Sequence, residues 1–520
     1  MNRSFALPVV IMSLSLTACN LPLSNTNNTL IDNSLSMTGH FTSSDLQAWL
    51  QNFPADQQTL LGSPVCGMKA ERYEYVTVGG LHEPTTASGV VMMPTGSDPS
   101  CHGQHSIVLY THGTSITHSF DLSAVNDATN DAYGAIQLLA LNYVAHGYIV
   151  IGPNYAGYNT STLTYHPYLN GDQQSQDVID GLTAGRQVIQ KLDTDIKDNG
   201  KLFVEGYSQG GYVAMATLRA LDQRGQPATA GVPMSGPYAL EAFGDQIFNG
   251  NVGIGSTVYA SMILNSYEHL PDNMGPLSAS DLLNPLYATA DKLFPGNYTF
   301  NDLPTLSSQN ILPLNALFQS SPTGNATLDQ LTPGPFLFGQ GFDTTDYLIQ
   351  TSYRASYVQD AIAHPDGAVP MTATPTLAQG TSNGLRQLFN HFDLRNYQPS
   401  MPLLMCGGHG DPEVYLLQNG LVVDTLLNQA AATHPGLRFG LLDLDTRKGP
   451  IIPVALGFSS QGFTPDQQTA MQSAYQTIQA DFVAQQNAQE TYNFAYGLEK
   501  YHTNEEPYCS LAARQFFSQF

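Results

Sequence analysis

The stretch 203–218, FVEGYSQGGYVAMATL, constrains the fold more than any other part of this chain. An apolar run precedes a single serine, Ser208, which stands in a G-x-S-x-G pattern, and a helix-like run rich in small residues follows. This pattern is typical of a very tight strand-to-helix turn, in which side chains at the flanking glycines would clash. Such a turn would expose the Ser208 hydroxyl at a sheet edge as a nucleophile. The alternative is an ordinary turn serine, because glycine and serine are common in loops.

Short apolar runs alternate with helical stretches on both sides of this motif. The runs SIVLYTHG, YIVIGPNY, KLFVEGY, MPLLMCGG and LRFGLLDLD are typical of buried strands, and longer helical stretches separate them. Two earlier runs, ERYEYVTVGG and ASGVVMMP, indicate a leading antiparallel pair. Apolar strands that alternate with helices predict an α/β fold, with a mostly parallel central sheet and helices on both faces.

The alternation stops between residues 241 and 399, which are rich in Asn, Pro, Leu, Tyr and Phe. We interpret this segment as a large inserted cap over the carboxyl edge of the sheet, where ligands bind in open α/β folds. The core then consists of residues 41–240 and 400–520. The alternative is a separate second domain. A further polar helical stretch after Asp445 is interpreted as an insertion that returns to the site.

The N-terminus carries an export signal. Arg3 precedes an apolar run of about a dozen residues, which is too short for a bilayer that needs about 20. The following residues, LTAC, resemble the lipobox of bacterial lipoproteins. That resemblance implies a signal peptide over 1–18, lipidation of Cys19 and a flexible tether over 19–40. Because Asn20 follows the cysteine, we expect an outer-membrane protein of the cell envelope. The alternative is an ordinary secretory signal with a chance cysteine.

The charge balance excludes one class of partner. The chain has 42 acidic and 18 basic residues, and a net charge of −24 repels phosphate backbones. The sequence has no cluster of Lys and Arg residues that could contact a phosphate backbone, so we expect no nucleic-acid binding. No HExxH motif, spaced Cys/His cluster or Gly-rich phosphate loop is present, and we expect no metal and no cofactor.

A serine nucleophile needs a base and an acid that orients the base. In a fold of this kind the chain order is serine, acid, histidine, each after a later strand. Asp411 follows the buried strand in PLLMCGGHGDPEV and is the predicted acid. Its alternative role is a helix N-cap, because Pro and Glu follow it. Asp443 and Asp445, at the end of the last predicted strand, are the rival carboxylates.

The histidine follows by elimination. After Asp411 only His434 and His502 remain. His434 precedes the last predicted strand and should lie at the edge opposite the nucleophile. His502 lies beyond that strand and just before the terminal helical tail, and is the predicted base. The alternative is that His502 is a surface histidine.

Four further cysteines suggest two disulfides with three possible connectivities, in an exported chain: Cys66, Cys101, Cys406 and Cys509. Some of them could instead be buried free thiols.

Two of these cysteines lie close in sequence to the predicted acid and base. Cys406 shortly precedes Asp411, and Cys509 shortly follows His502. A hydrogen bond between Asp411 and His502 would bring the two cysteines together. We therefore predict a Cys406–Cys509 bridge, which leaves the other two cysteines as the second pair.

An oxyanion hole requires two backbone amides. The tight turn aims the Gln209 N–H and the helix N-terminus at the spot where negative charge develops. The strand in VLYTHGTS ends with His112, Gly113 and Thr114. We predict that the Thr114 N–H is the second donor, with Gly113 allowing close approach and His112 supporting the loop.

These motifs together resemble the α/β-hydrolase fold family, and more narrowly its exported bacterial serine esterases and secretory lipases. The matching pieces are YTHGT, GPNYAGY…YHPYL, EGYSQGGYVAMA, PLLMCGGHGDPEV and YHTNEEPYCSLAARQFF. The resemblance implies hydrolysis of a small-molecule or lipid ester through an acyl-enzyme. Ser208 would attack, His502 would relay the proton and Asp411 would orient His502.

Two other functions compete with ester hydrolysis. An exported aminopeptidase of the same fold would need cap carboxylates for the substrate's amino terminus, and Glu241, Asp245, Glu268 and Asp272 are candidates. A non-catalytic surface binding protein is the other alternative, and the apparently complete set of serine, histidine and acid argues against it.

Overall fold

The computed structural model describes residues 29–448, except 193, 276 and 332–340, and residues 455–520. The predicted signal peptide and the lipidation site Cys19 lie outside the described residues. Among the described helices, none combines the length and the apolar character that crossing a membrane requires.

A ten-stranded sheet forms the centre of the described structure, in the order β1-β2-β3-β5-β4-β6-β7-β10-β11-β12. Strands β5, β4, β6, β7, β10 and β11 run parallel, whereas the strands at both ends pair antiparallel. The bounds of the strands, including two short ones in the cap, are β1 (Ser36–Phe41), β2 (Gly67–Val78), β3 (Pro84–Thr95), β4 (Gln104–Thr111), β5 (Ile149–Pro153), β6 (Lys197–Tyr207), β7 (Ala230–Met234), β8 (Phe318–Gln319), β9 (Phe342–Asp343), β10 (Leu403–Gly407), β11 (Phe439–Asp443) and β12 (Phe458–Gln461).

Every residue of β5, β7, β10 and β11 is buried, which shows that both faces of this sheet are covered. In an α/β fold helices provide this cover. This arrangement is the α/β-hydrolase fold, and it confirms the predicted fold class. The bounds of the helices are α1 (Ser43–Leu50), α2 (Ala55–Leu61), α3 (Tyr133–Asn142), α4 (Gly171–Lys191), α5 (Gln209–Gln223), α6 (Leu240–Phe248), α7 (Ser256–Glu268), α8 (Ala279–Leu282), α9 (Leu303–Ser308), α10 (Ala326–Gln330), α11 (Thr351–Ala363), α12 (Gly384–Phe392), α13 (Gly420–Ala431), α14 (Pro465–Tyr492) and α15 (Phe494–Phe517).

The predicted end of the tether at residue 40 is wrong. Strand β1 pairs antiparallel with β2, and Leu30 forms a bridge with Tyr75 while its side chain is buried. Three of the six residues of β1 are exposed and none is buried, so no apolar alternation marks them in the sequence. Their order comes from the free edge of β2, which offers backbone hydrogen bonds to any extended segment.

Residues 241–399 connect β7 to β10 and contain nearly all of α6, then α7 to α12 and the small β8–β9 sheet. Most of their buried apolar side chains belong to the same contiguous hydrophobic cluster as those of the central sheet. Within the described residues, the inserted segment therefore packs directly on the core.

The C-terminal part of the chain differs from the prediction in two respects. A further edge strand, β12, follows β11, and His502 lies inside α15 rather than before it. Pro507 also lies inside α15, although proline usually ends a helix. This proline obscures the helix in the sequence, whereas packing of α15 against α14, β10 and β7 holds it together.

Both predicted disulfides are present. Cys66 is bonded to Cys101, and Cys406 is bonded to Cys509. The second bridge connects β10, whose following loop carries Asp411, to the helix that carries His502.

Candidate active site

Ser208 lies on the tight turn between β6 and α5. Its backbone has φ 58° and ψ −122°, a strained conformation that is rare outside glycine. The glycines on either side of it, Gly206 and Gly210, are required because the turn leaves no room for a side chain there. A Cβ at Gly206 would lie 2.5 Å from the carbonyl oxygen of Thr111, and one at Gly210 would overlap that oxygen and lie 2.7 Å from the carbonyl oxygen of His112. The predicted crowding of this turn is confirmed.

The structure brings Ser208, His502 and Asp411 together in one hydrogen-bonded chain. His502 Nε2 lies 2.9 Å from Ser208 Oγ, and His502 Nδ1 lies 2.7 Å from Asp411 Oδ2. The other oxygen, Asp411 Oδ1, accepts bonds from the N–H groups of Glu413 and Val414 at 2.8 and 3.1 Å. Asp411 thus also caps a turn, although the next helix, α13, begins only at Gly420.

The rival side chains have other partners. Asp443 Oδ2 lies 2.8 Å from His409 Nδ1, and Asp445 binds Arg447 at 2.7 Å. His434 is exposed and contacts Thr433 beside it. The choice of Asp411 and His502 over these alternatives therefore agrees with the geometry.

His502 is buried, with only 4 % of its surface exposed. Burial by itself would lower its pKa, but the negative charges of Asp411 and Glu413 raise the pKa of the ring above its usual value. This environment favours a histidine that accepts a proton. Asp411 accepts the proton of His502 Nδ1 in a hydrogen bond and so orients the ring. The other nitrogen, Nε2, is then free to accept the Ser208 proton.

Of the two predicted oxyanion-hole residues, Gln209 directly follows Ser208 and Thr114 lies on a loop beside it. A Cβ at Gly113 would lie 3.8 Å from Ser208 Cβ, so this loop runs directly beside the nucleophile. Gln209 is the first residue of α5, where an N–H has no partner within the helix. Within the described residues, neither the Thr114 N–H nor the Gln209 N–H donates to another protein group. Both amides are therefore available to a ligand.

His112 supports this loop. Its ring is stacked against Tyr155 and Phe120 with centroid distances of 4.0 and 4.2 Å. Its nitrogens lie 2.7 Å from the Gly113 carbonyl oxygen and 3.1 Å from that of Asn154. Burial lowers the pKa of His112 to about 4, so the ring is neutral at neutral pH.

A second histidine was missed by the sequence reasoning. His166 is buried, and its Nδ1 donates to the Ala156 carbonyl oxygen at 2.8 Å. Its Nε2 accepts a bond from Gln209 Nε2 at 2.6 Å, and burial lowers its pKa to about 3. His166 therefore holds the side chain of the residue that follows the nucleophile. The available signal was its place in the matching piece YHPYL.

An apolar pocket opens beside Ser208 and extends under the cap. Ser208 and Gln209 line one part, and most of the wall is aliphatic or aromatic side chains of the inserted segment, among them Phe243, Ile247, Ile263, Leu317, Ile349 and Phe389. Glu413 and Tyr259 supply polar groups, with the Tyr259 hydroxyl donating to Glu413 Oε2 at 2.6 Å.

The carboxylates considered for an aminopeptidase do not line this pocket. Asp245 binds Arg386 at 2.7 Å, and Glu241 lies 3.6 Å from the same guanidinium. Glu268 accepts a bond from the Ala279 N–H at 2.7 Å, and Asp272 lies in a short 3₁₀ turn. The acidic side chain that does line the pocket, among the described residues, is Glu413.

Among the described residues, one group of side chains has ligand atoms close enough to hold a metal ion. Atoms of Asp411, His502 and Glu505 all lie within 4.8 Å of one another. Asp411 and His502 are hydrogen-bonded to each other, and Glu505 Oε2 accepts a bond from the Ser235 hydroxyl. Protein partners therefore already occupy Asp411 Oδ2, His502 Nδ1 and Glu505 Oε2, whereas Glu505 Oε1 has no partner among the described residues.

A buried acid lies three residues before the nucleophile. Glu205 is fully buried in β6, and the Tyr143 hydroxyl donates to its carboxyl group. Burial, with a smaller contribution from the nearby Glu506, raises the pKa of Glu205 to about 8, although the Tyr143 bond opposes this shift.

We expect the free energy of unfolding to fall as the pH rises from about 5 to 8. Over this range the native state keeps a proton on Glu205 that the unfolded chain releases. Glu205→Gln, which stays neutral, should weaken this fall. The measurement is the urea midpoint at pH 5 and at pH 8. Glu499→Gln, the same substitution at an exposed position, is the control. An equal fall in wild type and Glu205→Gln would contradict the expectation.

Comparisons with known proteins agree with this architecture. A model of the Prolyl oligopeptidase family matches residues 135–254, which include Ser208. No curated protein matches the chain. The rice cell wall degrading esterase LipA from Xanthomonas oryzae is similar in structure, at 23% identity and a TM-score of 0.60, covering 80% of this chain and 91% of that chain.

A Legionella pneumophila protein provisionally described as a hydrolase is also similar, at 20% identity and a TM-score of 0.56, covering 77% of this chain and 89% of that chain. At these identities the likeness establishes the α/β-hydrolase fold and leaves the reaction to the site itself.

Proposed function

We propose that the protein is a serine hydrolase of carboxylic esters. The observation that carries the proposal is the position of His502, which lies 2.9 Å from Ser208 Oγ and 2.7 Å from Asp411 Oδ2. These distances suit proton transfer from the serine to a histidine that a carboxylate orients.

The proposed reaction has two steps. Ser208 Oγ attacks the ester carbonyl carbon while His502 Nε2 takes the hydroxyl proton, and the same proton is then given to the leaving alcohol. The carbonyl oxygen, now negative, would be held by the N–H groups of Thr114 and Gln209. Water, deprotonated by His502, then attacks the acyl carbon; the bond from that carbon to Ser208 Oγ breaks, His502 returns the proton to Ser208 Oγ, and the acid is released.

The apolar pocket supports an ester substrate. Its wall is mostly hydrocarbon, which suits an acyl chain or an aromatic group and offers few polar partners to a peptide backbone. The similarity to LipA, itself an esterase, points in the same direction.

An exported peptidase is the second candidate, because the matched family model is that of the Prolyl oligopeptidase family. Asp245 and Glu241, two of the carboxylates that would hold the substrate's amino terminus, both face Arg386 instead. This arrangement argues against an aminopeptidase.

The test is to offer purified protein nitrophenyl esters of graded acyl length and, in parallel, aminoacyl-arylamides. We expect turnover of the esters. Protein with Ser208→Ala, purified in the same way, measures the background from contaminating hydrolases. Turnover of arylamides without esters would overturn the esterase proposal, and turnover of neither would favour a binding protein.

We also propose that the protein is attached to the cell envelope through a lipid on Cys19, with the outer membrane as the destination. The support for this is the LTAC sequence and Asn20. Metabolic labelling with a radioactive fatty acid should label the wild type and not Cys19→Ser.

A further inference from the structure

The hydroxyl group of Tyr207, the residue just before the nucleophile, lies beneath His502. Its oxygen lies 3.1 Å from His502 Nδ1 and 3.3 Å from Glu505 Oε2, and it donates to the His502 carbonyl oxygen. Tyr207 is buried, with 4 % of its surface exposed. The hydroxyl therefore bridges the ring nitrogen that Asp411 binds and a second carboxyl group.

Glu505 lies three residues after His502 on α15, so the two side chains share one face of the helix. It is fully buried, and the Ser235 hydroxyl also donates to its Oε2. The Glu505 carboxyl, the Asp411 carboxyl and the His502 ring have ligand atoms within 4.8 Å of one another. The mechanism described above does not use this second acid.

Two carboxyl groups this close in a buried site do not both ionise readily, because each negative charge opposes the other. Burial, and after it the Asp411 charge beside His502, raises the pKa of Glu505 and favours its neutral form. Loss of the Asp411 charge would remove the second of these causes and lower the pKa of Glu505, although burial would still raise it.

We propose that Tyr207 and Glu505 form a second acid path to His502, which positions the ring in parallel with Asp411. The inference rests on the proposed function. In this path His502 Nδ1–H donates to the Tyr207 oxygen, and the Tyr207 hydroxyl turns to donate to Glu505 Oε2. No covalent bond changes. The negative charge of Glu505 then stabilises the imidazolium form of His502 through the Tyr207 hydroxyl that lies between them.

The path predicts an unusual pattern of activity losses. Loss of a triad carboxylate commonly costs about 10⁴-fold in kcat. Here we expect Asp411→Ala to cost only about 10²-fold, because Glu505 takes over part of its role. Tyr207→Phe alone should cost less than about tenfold, and Asp411→Ala with Tyr207→Phe should restore the full loss of about 10⁴-fold. Tyr207→Phe keeps the ring and removes only the bridging oxygen.

A second readout separates this role from a structural one. In Asp411→Ala, kcat/KM should rise with pH through an additional ionisation, which Asp411→Ala with Glu505→Gln should lack. The charged and titratable groups around Glu505 are Tyr501, His502 and Glu506 on α15, Tyr207 at the end of β6, Tyr238 and, in the wild type, Asp411. A merely structural Glu505 would lower activity equally at every pH.

The inference is overturned if Asp411→Ala alone loses about 10⁴-fold and Tyr207→Phe adds nothing. It is also overturned if the pH profile of Asp411→Ala is unchanged by Glu505→Gln. Failure of the proposed function would be seen separately, as absence of ester turnover in the wild type or persistence of turnover in Ser208→Ala.

Discussion

Replacement of Ser208 by alanine is expected to lower kcat for ester hydrolysis by about 10⁶-fold. The substitution removes the oxygen that attacks the carbonyl carbon, whereas His502 and Asp411 remain paired with each other. The substituted side chain is smaller by one atom, so the fold should be kept. The measurement is the initial rate on the best nitrophenyl ester, with the urea midpoint as the check on folding.

Ser266→Ala is the matched control for this result. Ser266 is a buried serine on α7, outside the apolar pocket, and its hydroxyl has no hydrogen-bond partner among the described residues. The same chemical change there should leave kcat within about twofold of the wild type, because no reacting group is touched. If Ser208→Ala keeps a rate within about tenfold of the wild type, Ser208 is not the nucleophile.

Gly210→Ala is expected to destabilise the protein by more than about 4 kcal/mol. A Cβ at Gly210 would overlap the carbonyl oxygen of Thr111 and lie 2.7 Å from that of His112. Both oxygens belong to backbone at the end of β4, so neither can move aside as a flexible side chain could. The turn would have to open, which would also move Ser208 away from His502. Urea unfolding and ester turnover should both report the change.

Gly134→Ala tests whether this loss comes from crowding rather than from loss of a glycine. Gly134 lies in α3, and a Cβ there would meet nothing within 4 Å. Since alanine favours helix over glycine by about 0.5–1 kcal/mol, this control should be neutral or slightly stabilising. Equal urea midpoints for Gly210→Ala and wild type would show that the turn is looser than its packing indicates.

Parts of the site could be predicted from sequence because they depend on neighbours along the chain. The turn at Ser208 requires glycines at 206 and 210, and strand and helix flank it within a few residues. Asp411 was found by the same kind of argument, as an acid that follows a buried strand. The pairing of Cys406 with Cys509 then followed from one assumed hydrogen bond, and the structure contains that bridge.

Other parts could not be predicted, because their partners come from distant segments. The cap carboxylates Glu241 and Asp245 seemed free to bind a substrate, but the fold brings Arg386 to them. His166 had no predicted role, and the fold brings its ring to the Gln209 side chain. In these cases the local sequence pattern does not predict the contact, because more than 40 residues separate the groups that meet.

The sequence by itself determined the nucleophile turn, because sterics between adjacent residues allow few other conformations there. It also determined the parallel sheet, because apolar runs must be buried on both faces. Only the tertiary structure decided that His502 lies within a helix and that Tyr207 and Glu505 stand beside it. Packing of α15 on the sheet produced that arrangement, and packing between distant segments leaves no periodic signal in either of them.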